Sequence, residues 1–139
     1  ESFAHGVLAV GGAGSESFAC PDNLMLDSAG GMWMASDISG INLLVSPHER
    51  RGNNAMFFVE TSGENRGASY RFANGPRGSE FTGPSTTPDE TTLFVSVQHP
   101  GELSSSLEDL DSHWPRGGEQ VPLPSVVAIT RANGQRVTG

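Results

Sequence analysis

Seven short runs with strand character follow one another along the chain: "NLMLD", "GMWMASD", "INLLVS", "AMFFVET", "ASYRFA", "TLFVSVQH" and "SVVAITRA". Each is bounded by Gly, Pro, Asn, Asp or Ser, and none keeps a helical period. A chain punctuated in this way has little choice but antiparallel sheets. The 18 glycines and 9 prolines, scattered between the runs rather than gathered into one segment, supply the turns. One helical candidate remains, "SSSLEDLD", where Ser104 to Ser106 could cap a turn carrying Leu107 and Leu110. The reading is therefore all-β, with long loops and at most a short helix. With 139 residues the chain can bury a core as one domain, and no internal boundary divides it.

Two stretches resemble each other. "PDNLMLDSAGGMWMAS" and "TGPSTTPDETTLFVS" both turn near their middle and then carry an apolar-aromatic-apolar triplet, centred on Trp33 and Phe94. The two aromatics stand 61 residues apart, a spacing compatible with blades of a β-propeller that carry insertions.

The net charge of -8 arises from 16 acids against 8 bases, all of them arginine. Such a surface repels polyanions, so neither nucleic acid nor an anionic lipid face is an expected partner. No run is long and apolar enough to insert in a bilayer, and the opening residues show no basic leader. Cys20 is the only cysteine, which excludes an internal disulfide and a multi-cysteine zinc site. No nucleophile elbow or phosphate-binding glycine loop is present.

Acidic residues at the ends of strands are the main chemical signal. In a hairpin running through "PDNLMLDSAGGMWMASD" the outer ends return to one place, which brings Asp22 and Asp37 near each other. Two such carboxylates either cap turns or share a cation, and hard oxygen donors suit calcium, magnesium or oxidised iron. Glu80, in "NGPRGSEFTGP", is a further candidate ligand, and Arg77 beside it offers a planar fork for phosphate; a glycine-rich turn with a surface ion pair is the plainer account. Asn23, Gln98 and His99 are secondary candidates next to these positions, and Glu102 follows in "SVQHPGE".

The succession "FACPDNLMLDSAGGMWMASD", "GPRGSEFTGPSTTPDETTLFVSVQHPGE", "SHWP" and "PLPSVVAITRANG" resembles the C-terminal part of PhoX-type secreted phosphatases, over residues 18 to 134. The resemblance implies a six-bladed β-propeller whose cavity holds calcium and iron and hydrolyses phosphate monoesters, in the periplasm or outside the cell. It implies metal-ligand roles for Asp22, Asp37 and Glu80, and a phosphate contact for Arg77. In that family a cysteine binds iron but lies earlier in the chain, so Cys20 does not inherit the role. A ring of six blades at about 40 residues each is beyond this length, so residues 1–139 read as a single partial domain of about two blades. On that reading the piece is inactive or weakly active alone, and its uncovered sheet faces favour self-association. Two alternatives are a non-catalytic propeller module that binds a partner and a calcium-dependent propeller lactonase, although "VQHPGE" and "SHWP" speak against the latter.

Overall fold

A computed structural model describes residues 5–12, 14 and 16–138. It contains seven strands: β1 (Pro21–Leu26), β2 (Met32–Ser36), β3 (Ala55–Val59), β4 (Ser69–Asn74), β5 (Glu80–Thr86), β6 (Thr92–Gln98) and β7 (Ser125–Thr130). They form two antiparallel meanders, a four-stranded sheet in the order β1-β2-β3-β4 and a three-stranded sheet in the order β5-β6-β7. Each strand pairs with its sequence neighbour, the arrangement of a propeller blade.

The sheets stack through one shared core. Trp33, Ala35 and Met56 of the first sheet meet Phe81, Leu93, Val95 and Val97 of the second, with Val137 closing the cluster. Alternation along each strand explains the choice of residues: Trp33 and Ala35 share a face of β2, and Leu93, Val95 and Val97 share a face of β6. Phe94 therefore faces away from the first sheet, just as Trp33 faces away from the side where Phe18, Met34, Phe57 and Val59 form a second cluster. Both aromatics sit on the second strand of their sheet and point in the same sense along the stack. The similarity between the two hairpin sequences is thus a repeat of structure.

At one end of the stack the two hairpin turns are tied together. The Glu90 carboxylate accepts hydrogen bonds from the Ser28 N–H (2.7 Å), the Ser28 hydroxyl (2.8 Å) and the Thr138 hydroxyl, and lies 3.7 Å from Arg136. The Thr138 bond first, then the Ser28 bonds, hold the Glu90 carboxyl below its ordinary value. A carboxyl depressed in the folded state stabilises above the unfolded value of about 4.3, and that stabilisation is lost as pH falls through the depressed folded value. Thermal melts of the native chain and Glu90→Gln are expected to differ most near neutral pH and to converge in acid; a difference that grew in acid would refute this tie.

Two sequence expectations need correction, and the allowance of at most a short helix is met without one at "SSSLEDLD". "INLLVS" is not a strand: its N–H groups turn back on Ser39, with Asn42 N–H to Ser39 C=O at 2.8 Å and Leu43 N–H to the same oxygen at 2.9 Å. Its apolar run serves instead to bury Leu43. Conversely, the glycine-rich turn expected around Glu80 is the start of β5, where Phe81 packs in the core and Gly83 and Pro84 fall at an irregularity between Thr82 and Ser85. "SSSLEDLD" forms no helix, because its serines capture local partners: Ser104 Oγ bonds Asp111, Ser105 Oγ bonds Asp109, and Ser106 Oγ accepts from the Glu108 N–H. Leu107 is exposed, so the segment also lacks an apolar face to dock. The one helical element among the described residues is a 3-10 turn, Glu49–Arg51.

Candidate functional site

Antiparallel alternation sends β1 and β5 away from one end of the stack and returns β2 and β6 to it. Residues at that end of those strands therefore gather there: Cys20 and Asp22 at the start of β1, Asp37 after β2, Glu80 at the start of β5, and His99 after β6. A polar cavity of about 170 Å³ opens among Asp37, Ser39, Gly40, Asn54, Glu80, His99 and Glu102.

Glu80 is more enclosed than Asp37, which lies at the mouth of the cavity. Burial raises the Glu80 carboxyl above the ordinary value, a hydrogen bond and the charge of Asp37 push the same way, and His99 opposes them. His99 Nε2 lies 3.3 Å from Glu80 Oε1. Gln98 is the ladder partner of Glu80, and the chain then turns at His99 with a positive φ of 43°. Such a backbone in a residue other than glycine is uncommon and is held only where surrounding contacts demand it. Glu102 fixes that turn, its N–H donating to the carbonyls of His99 (2.9 Å) and Gly78 (3.1 Å). Its carboxylate lies against Gly40 so closely that a Cβ there would stand 2.8 Å from Glu102 Cδ. The absence of a side chain at Gly40 thereby admits the Glu102 carboxylate to this wall of the cavity.

Of the residues singled out from sequence, Asp37, Glu80, His99 and Glu102 line the cavity. The hairpin does bring its ends together, Asp37 N–H donating to the Cys20 carbonyl at 2.9 Å. Yet Asp22 is exposed, accepts from the Asn23 amide and does not line the cavity. Asn23 joins β1 to β5 instead, since its Oδ1 accepts from the Thr82 hydroxyl and from the Gly83 N–H (2.6 Å). Arg77 is largely exposed and pairs with Asp111, Nε to Oδ2 at 3.4 Å, outside the cavity lining. Asn54, just before β3 and not singled out from sequence, lines the cavity and is buried.

The donor chemistry here, carboxylate oxygens beside an imidazole, fits a hard divalent or trivalent cation. The number of donors does not complete a site: among the described residues no three His, Cys, Asp or Glu side chains converge as metal ligands.

The family described as alkaline phosphatase PhoX matches residues 4–101. No curated protein matches the sequence. Among solved structures, that of Pseudomonas fluorescens PhoX in complex with vanadate, a transition state analogue, superposes with a TM-score of 0.75 at 36% sequence identity. The match covers 88% of this chain and 19% of that one, so the chain spans about a fifth of the protein it resembles. With two blade-like meanders, acids gathered at one end of the stacked sheets, and a family match through more than half of its length, the chain belongs to the PhoX alkaline phosphatase family.

Proposed function

We propose that this chain supplies two successive blades of a metal-dependent phosphatase acting on phosphate monoesters, and that Asp37 and Glu80 are its contribution to the metal centre, with calcium or iron as the cation. The observation that carries this reading is the Asp37–Glu80 pair. Two acids at the ends of different sheets line one polar cavity, and the nearby Asp37 helps to raise the Glu80 carboxyl, a placement that a proton or a cation between them would relieve. His99 stands within reach of the same cation through its contact with Glu80. Asp22 belongs to the outer edge of this end, where a further part of a longer polypeptide would decide whether it joins.

A cation held here supplies positive charge that draws phosphate into an otherwise acidic cavity and stabilises charge on its oxygens. Arg77 would add a bidentate contact to phosphate only after leaving Asp111. Secretion or a periplasmic site accords with this reading, and no helix of the described residues is long and apolar enough to cross a membrane.

Terbium luminescence with competition by calcium tests the metal role. The 139-residue chain is expected to bind weakly, with a dissociation constant on the order of 0.1–1 mM, and to lose binding in Asp37→Ala and Glu80→Ala. Unchanged binding in both variants would sink the assignment. Turnover of an aryl phosphate by the chain alone is expected to be negligible, since the pair lacks its remaining ligands; robust calcium-dependent turnover would contradict that. Sedimentation is expected to show self-association, because an apolar groove of about 320 Å³ lined by Val7, Leu8, Leu24 and Met32 lies open on the first sheet. A clean monomer would count against it.

A further inference from the structure

We propose that Asn53 and Asn54 form a positioning clasp that sets the separation of Asp37 and Glu80 across the junction of the two sheets; the inference rests on the metal-holding reading of that pair. Both side-chain amides are engaged by backbone groups. What they grip is the chain immediately beside each acid.

Asn54 is buried, 2% exposed, just before β3 of the first sheet. Its Oδ1 accepts from the Ile38 N–H at 2.7 Å, and its Nδ2 donates to the Ile38 carbonyl at 3.1 Å. Ile38 is the residue after Asp37, so both backbone polar groups of the residue flanking that acid are pinned by one side chain. The same Nδ2 also reaches the Ser79 carbonyl at 3.3 Å. Ser79 is the residue before Glu80.

Asn53 completes the grip on the second sheet. Its Nδ2 donates to the Ser79 carbonyl at 2.9 Å, and its Oδ1 accepts from the Gly78 N–H at 2.9 Å. Two adjacent side chains thus satisfy the backbone leading into β5 and the backbone leaving β2. Asparagine suits this role because one amide both donates and accepts. The planar pair spans the junction with no charge of its own, so it fixes two carboxylates without neutralising either of them. A support of this kind acts on metal affinity by holding ligands in place before the cation arrives.

The test uses the chain itself, with Asn54→Ala and Asn53→Ala, and Glu90→Gln as a destabilised control at the opposite end of the stack. Two readouts are taken: terbium binding displaced by calcium, and nuclear Overhauser contacts between the Asp37 and Glu80 side chains in metal-free protein. The expected result is that both asparagine variants weaken binding by roughly 10- to 100-fold and lose the Asp37–Glu80 contacts, while Glu90→Gln keeps both. If Asn54→Ala does not fold, Asn53→Ala alone decides. Retained contacts and affinities within about twofold of the native chain would overturn the clasp. If the native chain binds no cation, the metal reading fails and the Overhauser contacts alone decide whether the clasp stands.

Discussion

Trp33→Ala is expected to destabilise the chain by about 3–5 kcal/mol, the cost of deleting a large buried aromatic whose site cannot collapse. Trp33 is 3% exposed and sits in the cluster shared by the two sheets. Its ring meets Phe58 at 5.3 Å and Phe72 at 4.8 Å between centroids, both edge-on, so its loss also removes two aromatic contacts. Neighbours on β5 and β6 are held by their own ladders and cannot move in to fill the space. Equilibrium urea unfolding would show the loss as a fall in midpoint at unchanged slope. A cost below about 1 kcal/mol would mean that the sheets do not pack as described. Phe94→Ala, at a half-buried ring on the far face of the second sheet, should cost markedly less.

Asp27→Ala is expected to produce the second large effect. Its carboxylate is buried at the end of β1 and accepts from the Ala29 N–H (3.0 Å), the Gly31 N–H (2.8 Å) and the Trp33 indole (3.1 Å). Truncation leaves those donors without a partner, each at a cost on the order of 1–3 kcal/mol. Gly31 makes relaxation difficult: a Cβ at that position would lie 2.3 Å from the Phe58 ring and 2.9 Å from the Asp27 carboxylate, so turn and ring are already in close contact. Asp27→Asn keeps one acceptor and should cost less. A double-mutant cycle with Trp33→Phe, which removes the indole N–H, should show coupling on the order of 1 kcal/mol. Strict additivity would mean that the indole bond contributes nothing.

Much of the architecture was legible in the residues. Six of the seven runs became strands or parts of strands because alternation and turn residues act locally, and local sterics is what short-range patterns record. The seventh, "INLLVS", carries the same apolar content but follows Ser39 and Gly40, whose turn bonds outweighed strand propensity. β5 was missed for the opposite reason. "EFTGPST" looks like a turn, yet the backbone of β6 accepts it as a partner and Phe81 anchors it in the core. "SSSLEDLD" had a helix's cap residues without an apolar stripe, and caps alone do not hold a helix.

The sequence by itself determined the class, the family and the end of the sheets to which the acids belong, because strand alternation and family motifs are properties of the chain in one dimension. Which acids meet was decided only in three dimensions. Asp22 and Asp37 are joined by a hairpin that the sequence alone suggests, yet Asp37 turns to Glu80 on the other sheet, 43 residues further along. Stacking of the sheets sets that pairing, through Trp33 and its core partners and through the bonds of Asn53 and Asn54. Long-range contacts of this kind depend on how two faces dock, and no local pattern encodes where a buried amide will find its partners.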